Sequence, residues 1–182
     1  RQPRREQSAK MLIDSFLPEG ITSLAVDSIF MMPQLGVMAN IDKKSIAEEA
    51  RVAALEVFEK DCLIRLGTCI APVGSMSKSE VPLKINLEFK NGEKNSINLQ
   101  SGELIRVEVG YEEVKAELLP AKGINVGAGK GEKIDTIIFG GQVGLIFDGR
   151  GRPLDVGSNP KERISNLKKW ASALNEYPEL KE

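Results

Sequence analysis

Apolar positions recur along this chain with two different periods, and the switch between them predicts where helices stop and strands begin. Near the start, Met11, Leu12, Ser15 and Phe16 share one helical face, which predicts a short helix from Ser8 to Phe16 ending before Pro18-Glu19-Gly20. A strand is expected from Thr22 to Asp27. The segment Ser28 to Asn40, SIFMMPQLGVMAN, is apolar but interrupted by Pro33 and Gly36, so no regular helix is expected over its whole length. Its methionines, Met31, Met32 and Met38, read as adaptable core filling, with a binding surface as the alternative. Asp42 then supplies an N-cap. Ile46, Ala50, Ala53, Ala54, Val57 and Phe58 fall on one stripe at helical spacing, while Glu48, Glu49, Arg51 and Glu56 face water. That helix should stop around Lys60-Asp61.

From Cys62 the period drops to two and stays there until Asp148. Cys62 to Ala71 predicts a long strand ended by Pro72 to Gly74. Leu83, Ile85, Leu87 and Phe89 alternate with Lys84, Asn86, Glu88 and Lys90, the signature of a half-buried strand. Asn91-Gly92 is a strong turn signal, and Asn95 to Leu99 should return antiparallel. Leu104 to Val109 and Glu112 to Leu119 predict two more strands around Gly110-Tyr111, with Ile105, Val107, Val109, Val114, Ala116 and Leu118 inward. In KIDTIIFGGQVGLIFDGRGRP, from Lys133 to Pro153, two β-branched and aromatic runs flank Gly140-Gly141, which reads as a two-residue hairpin turn. That register would pair Ile138 with Val143, Thr136 with Leu145, Ile134 with Phe147 and Lys133 with Asp148, leaving one face apolar. Pro160 to Asn175 closes the pattern with a helix striped by Ile164, Leu167, Trp170, Ala171 and Leu174, its tryptophan expected to dock in the core.

Short strands with turns every ~8–12 residues argue for a barrel or sandwich, and closure would remove exposed edges. The fold class expected is therefore α+β, mainly β: an antiparallel β-barrel or sandwich over about residues 62–148 with flanking helices. The domain organisation expected is a basic tail or linker at 1–10, an α/β segment at 11–61 packing on the β unit, a barrel-like domain at 62–156, and a terminal helix and tail at 157–182.

Charge changes this picture little. Twenty-five basic residues against 26 acidic ones leave a net charge of −1, so no global attraction to nucleic acid or a membrane surface follows. The local exception is RQPRR at the start, read as a solvated tail or linker, with a basic nucleic-acid-binding arm as the alternative. Arg1 stands where a Met would, and the expectation is a piece of a longer protein. No apolar run approaches the ~20 residues of a membrane helix, and no signal peptide follows the arginines, so a cytoplasmic location is expected. Cys62 and Cys69, seven apart in one expected strand, lie beyond disulfide reach.

Histidine is absent, which removes histidine-based nucleophilic triads, general catalysis by imidazole and the common zinc sites. Gly123, Gly127, Gly129 and Gly131 suggest a phosphate loop, but the spacing does not match one and a strand follows rather than a helix. A bulged β connection is the reading, with a backbone nest for an anion at Gly127 and Gly129 as the alternative. Asp148-Gly149-Arg150-Gly151-Arg152-Pro153 carries the sharper candidate. Arg150 and Arg152 beside Asp148 could present forked donors to a carboxylate or phosphate; the alternative ties them to carboxylates and carbonyls of their own turn. No cofactor, metal or catalytic residue is assigned.

Four segments, IFMMPQLGVMA (29–39), ALEVFEKDCLIRLGTCIAPVG (54–74), NVGAGKG (125–131) and GGQVGLIFDGRGRPL (140–154), together resemble the C-terminal region of the glutamate mutase L family. These are accessory proteins of the adenosylcobalamin-dependent glutamate mutase system. The resemblance implies a β-rich end of a larger, ATPase-like protein whose nucleotide-binding motifs, such as D-x-G-G-A-T-T-D, do not occur here. It implies a non-catalytic module in a chaperone or reactivating role, whose partners are the rest of its own chain or a cobalamin-dependent mutase subunit. An anion- or small-ligand-binding β domain and, behind it, a carboxylate-based enzyme are the rival expectations.

Overall fold

The structure is a computed structural model that describes residues 4–40 and 47–178. In chain order its regular elements are α1 (Arg5–Phe16), β1 (Gly20–Asp27), α2 (Met32–Ala39), α3 (Ala47–Val57), β2 (Leu63–Ala71), β3 (Leu83–Glu88), β4 (Lys94–Leu99), β5 (Leu104–Val107), β6 (Glu113–Pro120), β7 (Ile134–Phe139), β8 (Gly144–Asp148) and α4 (Pro160–Leu174). Helix α1 starts three residues before the expected Ser8, because Arg4 and Arg5 are held: Arg4 donates to the Asn175 carbonyl and pairs with Glu6, and Arg5 donates to Gln142. The expected cap Asp42 and stripe residue Ile46 lie outside the described residues. None of the described helices is long and apolar enough to cross a membrane.

The chain divides into two compact units. Residues up to Leu24 group with those from Leu66 onward, and Ala25–Arg65 form the second unit. In the first, the strands make two four-stranded sheets, ordered β1-β2-β8-β5 and β4-β3-β6-β7, with the division between units falling inside β1 and β2. The class is α+β and strand-rich, as the alternation requires, but the expected barrel is corrected: the described strands close no barrel and the sheets keep edges at β1, β5, β4 and β7. One apolar cluster is lined by both sheets. Ile70, Leu145 and Phe147 contribute from one; Leu83, Ile85, Leu87, Leu99, Val114, Ala116, Leu118 and Ile138 contribute from the other. Burying a side chain such as Phe147 stabilises by about 1.5–3 kcal/mol.

The largest correction concerns Gly140-Gly141. Strand β7 pairs antiparallel with β6, whereas β8 pairs parallel with β2 and antiparallel with β5, so the two runs lie in different sheets and form no hairpin. The Gly140 N–H donates to the Glu112 carbonyl, that of Gly141 to Val109, and that of Val143 to Leu66. The glycine pair is a corner where the chain leaves one sheet for the other. A second corner at Gly110 carries the chain from β5 to β6, and the two corners touch: a Cβ on Gly140 would stand 2.1 Å from the Gly110 carbonyl oxygen and 2.6 Å from that of Val109. Four of the six residues expected on the apolar face keep that role, while Val143 is buried outside the cluster, Thr136 does not join it, and Ile146, expected on the opposite face, is buried as well. Ile134, Ile138, Leu145 and Phe147 all reach the common cluster, from facing sheets instead of adjacent strands. Lys133 accordingly meets Glu117 and Asp135, not Asp148.

Elsewhere the pattern holds with local corrections. The β3/β4 ladder turns at Asn91-Gly92, with Leu83 opposite Leu99 and Glu88 opposite Lys94. Cys62 sits in a π-helical turn before β2 rather than in the strand, and both cysteines are buried free thiols. On α4, Trp170 and Leu174 are buried and the indole N–H donates to the Gly102 carbonyl at 3.0 Å, but Ile164 and Leu167, expected on the same stripe, are exposed. In the second unit, α2 and α3 pack Leu35, Ala54 and Cys62 together, with Met31 and Phe58 against them. Met31 fills core as expected; Met32 and Met38 do not and stand exposed. Ser28 closes this unit by donating its N–H and hydroxyl to the Cys62 carbonyl, each at 3.0 Å.

Adding one methyl at the corner tests its role. Gly140→Ala should cost about 2–3 kcal/mol, because the two nearest atoms are backbone carbonyl oxygens and have no rotamer to yield. Gly110→Ala, whose Cβ would meet open space, should stay within about 0.5 kcal/mol. Urea midpoints of the two variants decide the matter; equal midpoints would show that the corners are not in contact.

Candidate functional site

Strand β8 is buried along its whole length, so the side chain at its end, Asp148, is delivered into the interior. A carboxylate cannot stay ionised there without partners, and the glycines that follow let the chain fold back to supply them. Arg150 donates twice in a fork to Asp148, from Nε to Oδ1 and from Nη2 to Oδ2, both at 2.8 Å, while its backbone N–H reaches Oδ1 at 3.1 Å. Its remaining arm donates to Asp14 Oδ1 on α1 at 2.8 Å, and its guanidinium carbon lies 5.0 Å from the Trp170 ring centroid on α4. Arg152 donates to Asp148 Oδ2 at 3.0 Å, to the Pro18 carbonyl at 3.1 Å and to the Gly151 carbonyl at 2.9 Å. Lys10, one helical turn before Asp14, completes the group by pairing with that carboxylate.

The three residues singled out in the sequence, Asp148, Arg150 and Arg152, are therefore brought together, but facing inward. Their forked donors are taken up by Asp148, Asp14 and two carbonyls, and the arrangement braces α1 and the segment after it to the end of β8. Gly127 and Gly129 lie in a separate loop, where both N–H groups donate to the side-chain oxygen of Asn125, at 2.8 and 3.0 Å. Asn125 itself is fixed by paired backbone bonds with Val73. The nest that an anion would occupy thus holds an amide oxygen of the same chain. Among the described residues no cluster of three or more Cys, Asp or Glu could hold a metal ion.

Electrostatics agree with the geometry. Burial pushes the Asp148 carboxyl up, but the hydrogen bonds and charge of Arg150, followed by the charge of Arg152, outweigh it and hold the group below the usual aspartate range. Burial and the nearby Asp148 charge push the Cys69 thiol up to about 12, which leaves it inert as a nucleophile. Glu176, just past α4, goes the other way. Burial, opposed by Lys10 and Arg150 and aided by Asp14, raises its pKa, and its Oε1 has no hydrogen-bond partner. Gln7 donates to the Glu176 backbone carbonyl at 3.4 Å, and its own Oε1 is likewise unpartnered.

Sequence reasoning missed Asp14, Arg106 and Glu176. Arg106 on β5 donates to the carbonyls of Val143 and Leu174 at 2.7 and 3.2 Å and pairs with Glu6 and Glu108, a second tie between α1, α4 and the sheet. Their near partners, Lys10 for Asp14 and Glu108 for Arg106, give no hint of the role, because the ties that matter run to Arg150, Glu6, Val143 and Leu174, far away in the chain. No family model, curated protein or solved structure matches this chain.

Breaking a buried pair leaves an uncompensated charge, so Asp148→Asn should cost about 3–5 kcal/mol in urea unfolding. The Asp148 contribution is fully present above the unfolded aspartate value of about 3.9 and lost as pH falls through its depressed folded value. A variant with near-native stability would show that the brace carries no load.

Glu176 has the opposite sign. Its contribution is complete below the unfolded glutamate value of about 4.3 and lost as pH rises through the raised folded value. Urea midpoints measured from acid to neutral pH should therefore fall less steeply for Glu176→Gln than for the unsubstituted chain; parallel profiles would refute the assignment.

Proposed function

We propose that this chain is a non-catalytic interaction module of an accessory, ATPase-like protein serving an adenosylcobalamin-dependent glutamate mutase system, in a chaperone or reactivating role. The observation that carries the reading is where IFMMPQLGVMA falls. It forms α2 and its approach, and it exposes apolar side chains: Met32 is 57% exposed and Val37 74%, while Leu55 on α3 is 59% exposed. Between the helices lies a cavity of about 230 Å³ lined by Met32, Leu35, Gly36, Ala54, Leu55 and Phe58. Contiguous apolar surface of this kind marks a contact site, because leaving it in water is unfavourable. Glu48, Glu49, Glu56 and Glu59 on α3 and the turn after it outnumber Arg51 and Lys60, so a partner surface that is apolar with a basic border fits best. The brace at Asp148 supports the same reading: its charged groups are spent on holding the unit together, which suits a scaffold for contact surfaces.

Calorimetric titration of the purified chain into the cobalamin-dependent mutase subunits tests this. Saturable association is expected, weakened at least about tenfold, ~1.4 kcal/mol, by Leu55→Asp with an unchanged melting temperature. No association, or turnover of a substrate by the chain alone, would overturn the reading.

A further inference from the structure

Strand β7 ends its sheet, and the direction of its backbone groups follows from two separate observations. The β6/β7 register runs without a break from Glu113 opposite Phe139 to Leu118 opposite Ile134, and one step further the Gly140 N–H donates to the Glu112 carbonyl at 2.9 Å. Bonded and non-bonded pairs alternate along an antiparallel ladder. Ile138, Thr136 and Ile134 therefore spend their backbone groups on β6, and Phe139, Ile137 and Asp135 turn theirs outward. Phe139 shows this directly: its carbonyl accepts from the Thr68 hydroxyl at 2.8 Å, and its N–H donates to that oxygen at 3.3 Å. Thr68 caps that end of the edge. At Asp135 and Ile137 the described residues provide no further backbone partner, and the one side-chain approach is the Thr136 hydroxyl at 3.5 Å from the Ile137 carbonyl.

The side chains leave this edge unprotected. Four of the six residues of IDTIIF are β-branched, none is proline, the strand is unbulged, and Ile137 is 53% exposed. The opposite edge of the same sheet differs. The Phe89 N–H donates to the Glu93 carbonyl, which sets the phase of β4 and turns Lys94, Ser96 and Asn98 outward, a polar, lysine-bearing edge of the kind that discourages pairing. Beside β7, the outer sheet face carries an open concavity of about 690 Å³ whose lining includes Asp135, Thr136 and Ile137. Lys133 is shared between Glu117, at 2.5 Å, and Asp135, at 3.2 Å, and Asp135 keeps 70% of its side chain open to solvent, where a further cation can reach it.

We infer that the open edge of β7 takes up an extended peptide strand of another protein, with an apolar side chain opposite Ile137 and a basic one opposite Asp135. The N–H and C=O groups of those two residues bind its backbone, the mode of recognition in which a strand is added to a sheet. A second copy of this chain paired through β7 fits poorly in the registers centred on Asp135, Thr136 and Ile137. A two-fold axis at Asp135 sets two carboxylates against each other, one at Thr136 places each Asp135 against the other copy's Ile137, and one at Ile137 needs the Phe139 backbone that Thr68 holds. The inference goes beyond the module reading, since it rests on a different surface and on backbone rather than apolar contact.

The test uses a synthetic acetylated and amidated peptide in which valine and threonine alternate and one valine is replaced by lysine. Titrated into the full chain, it should bind saturably, with amide shifts centred on Asp135 and Ile137. Ile137→Pro removes an outward N–H only, so it should fold normally and lose at least about tenfold in affinity, whereas Ile138→Pro should destabilise because its N–H is spent on β6. Absence of saturable binding, shifts centred away from β7, an Ile137→Pro chain that binds as tightly, or one that fails to fold would each overturn the inference. Mutase capture, measured in parallel, separates the two proposals: capture without peptide binding counts against the edge alone, and peptide binding without capture against the module reading alone.

Discussion

An aspartate with no access to water stands at the end of the most deeply buried strand, and the architecture around it follows from keeping that charge paired. Asp148 accepts from two guanidinium groups and a backbone N–H, and one of those guanidiniums extends to Asp14 and lies over Trp170. Taking such ions out of water costs several kcal/mol each, so a buried pair adds little net stability over apolar residues but makes every alternative arrangement expensive. Its effect is specificity. The two helices and the strand meet at Arg150, which binds Asp148 and Asp14 and lies over Trp170.

The second constraint is close backbone approach. Strands β2 and β8 run parallel with Gly67 opposite Gly144, and a Cβ on Gly67 would fall 1.7 Å from the Gly144 carbonyl oxygen. The corners at Gly110 and Gly140 meet in the same way. Gly67 and Gly144 let neighbouring strands of one sheet approach closely, whereas Gly110 and Gly140 mark the place where the two corners between the sheets meet.

The charged cluster and the glycine loop, the two places where chemistry looked available, are both closed by the chain itself. What the molecule offers outward is of another kind: apolar faces on a short helix pair, and a strand edge whose backbone groups remain directed at water. Surfaces of both kinds are ones through which polypeptides in general meet. They differ in selectivity, since an apolar face accepts many shapes whereas a strand edge demands an extended backbone in register.

How much could be read in advance depends on the range of the interaction concerned. Periodicity is local, so the strands at 83–88, 94–99 and 113–120, their inward faces, the Asn91-Gly92 turn and the position of the terminal helix were legible to within a residue or two. The core membership of Ile138, Leu145 and Phe147 was legible for the same reason. Their topology was not. A Gly-Gly step between two apolar runs satisfies a hairpin and a corner equally, and only the carbonyls of Val109 and Glu112, about thirty positions away in the chain, decide between them. The candidate site divides along the same line. Residue types and spacing placed Asp148, Arg150 and Arg152 in one cluster, whereas the tertiary structure decided that they face inward, because Asp14, Pro18 and Trp170 close around them from segments that no local pattern connects.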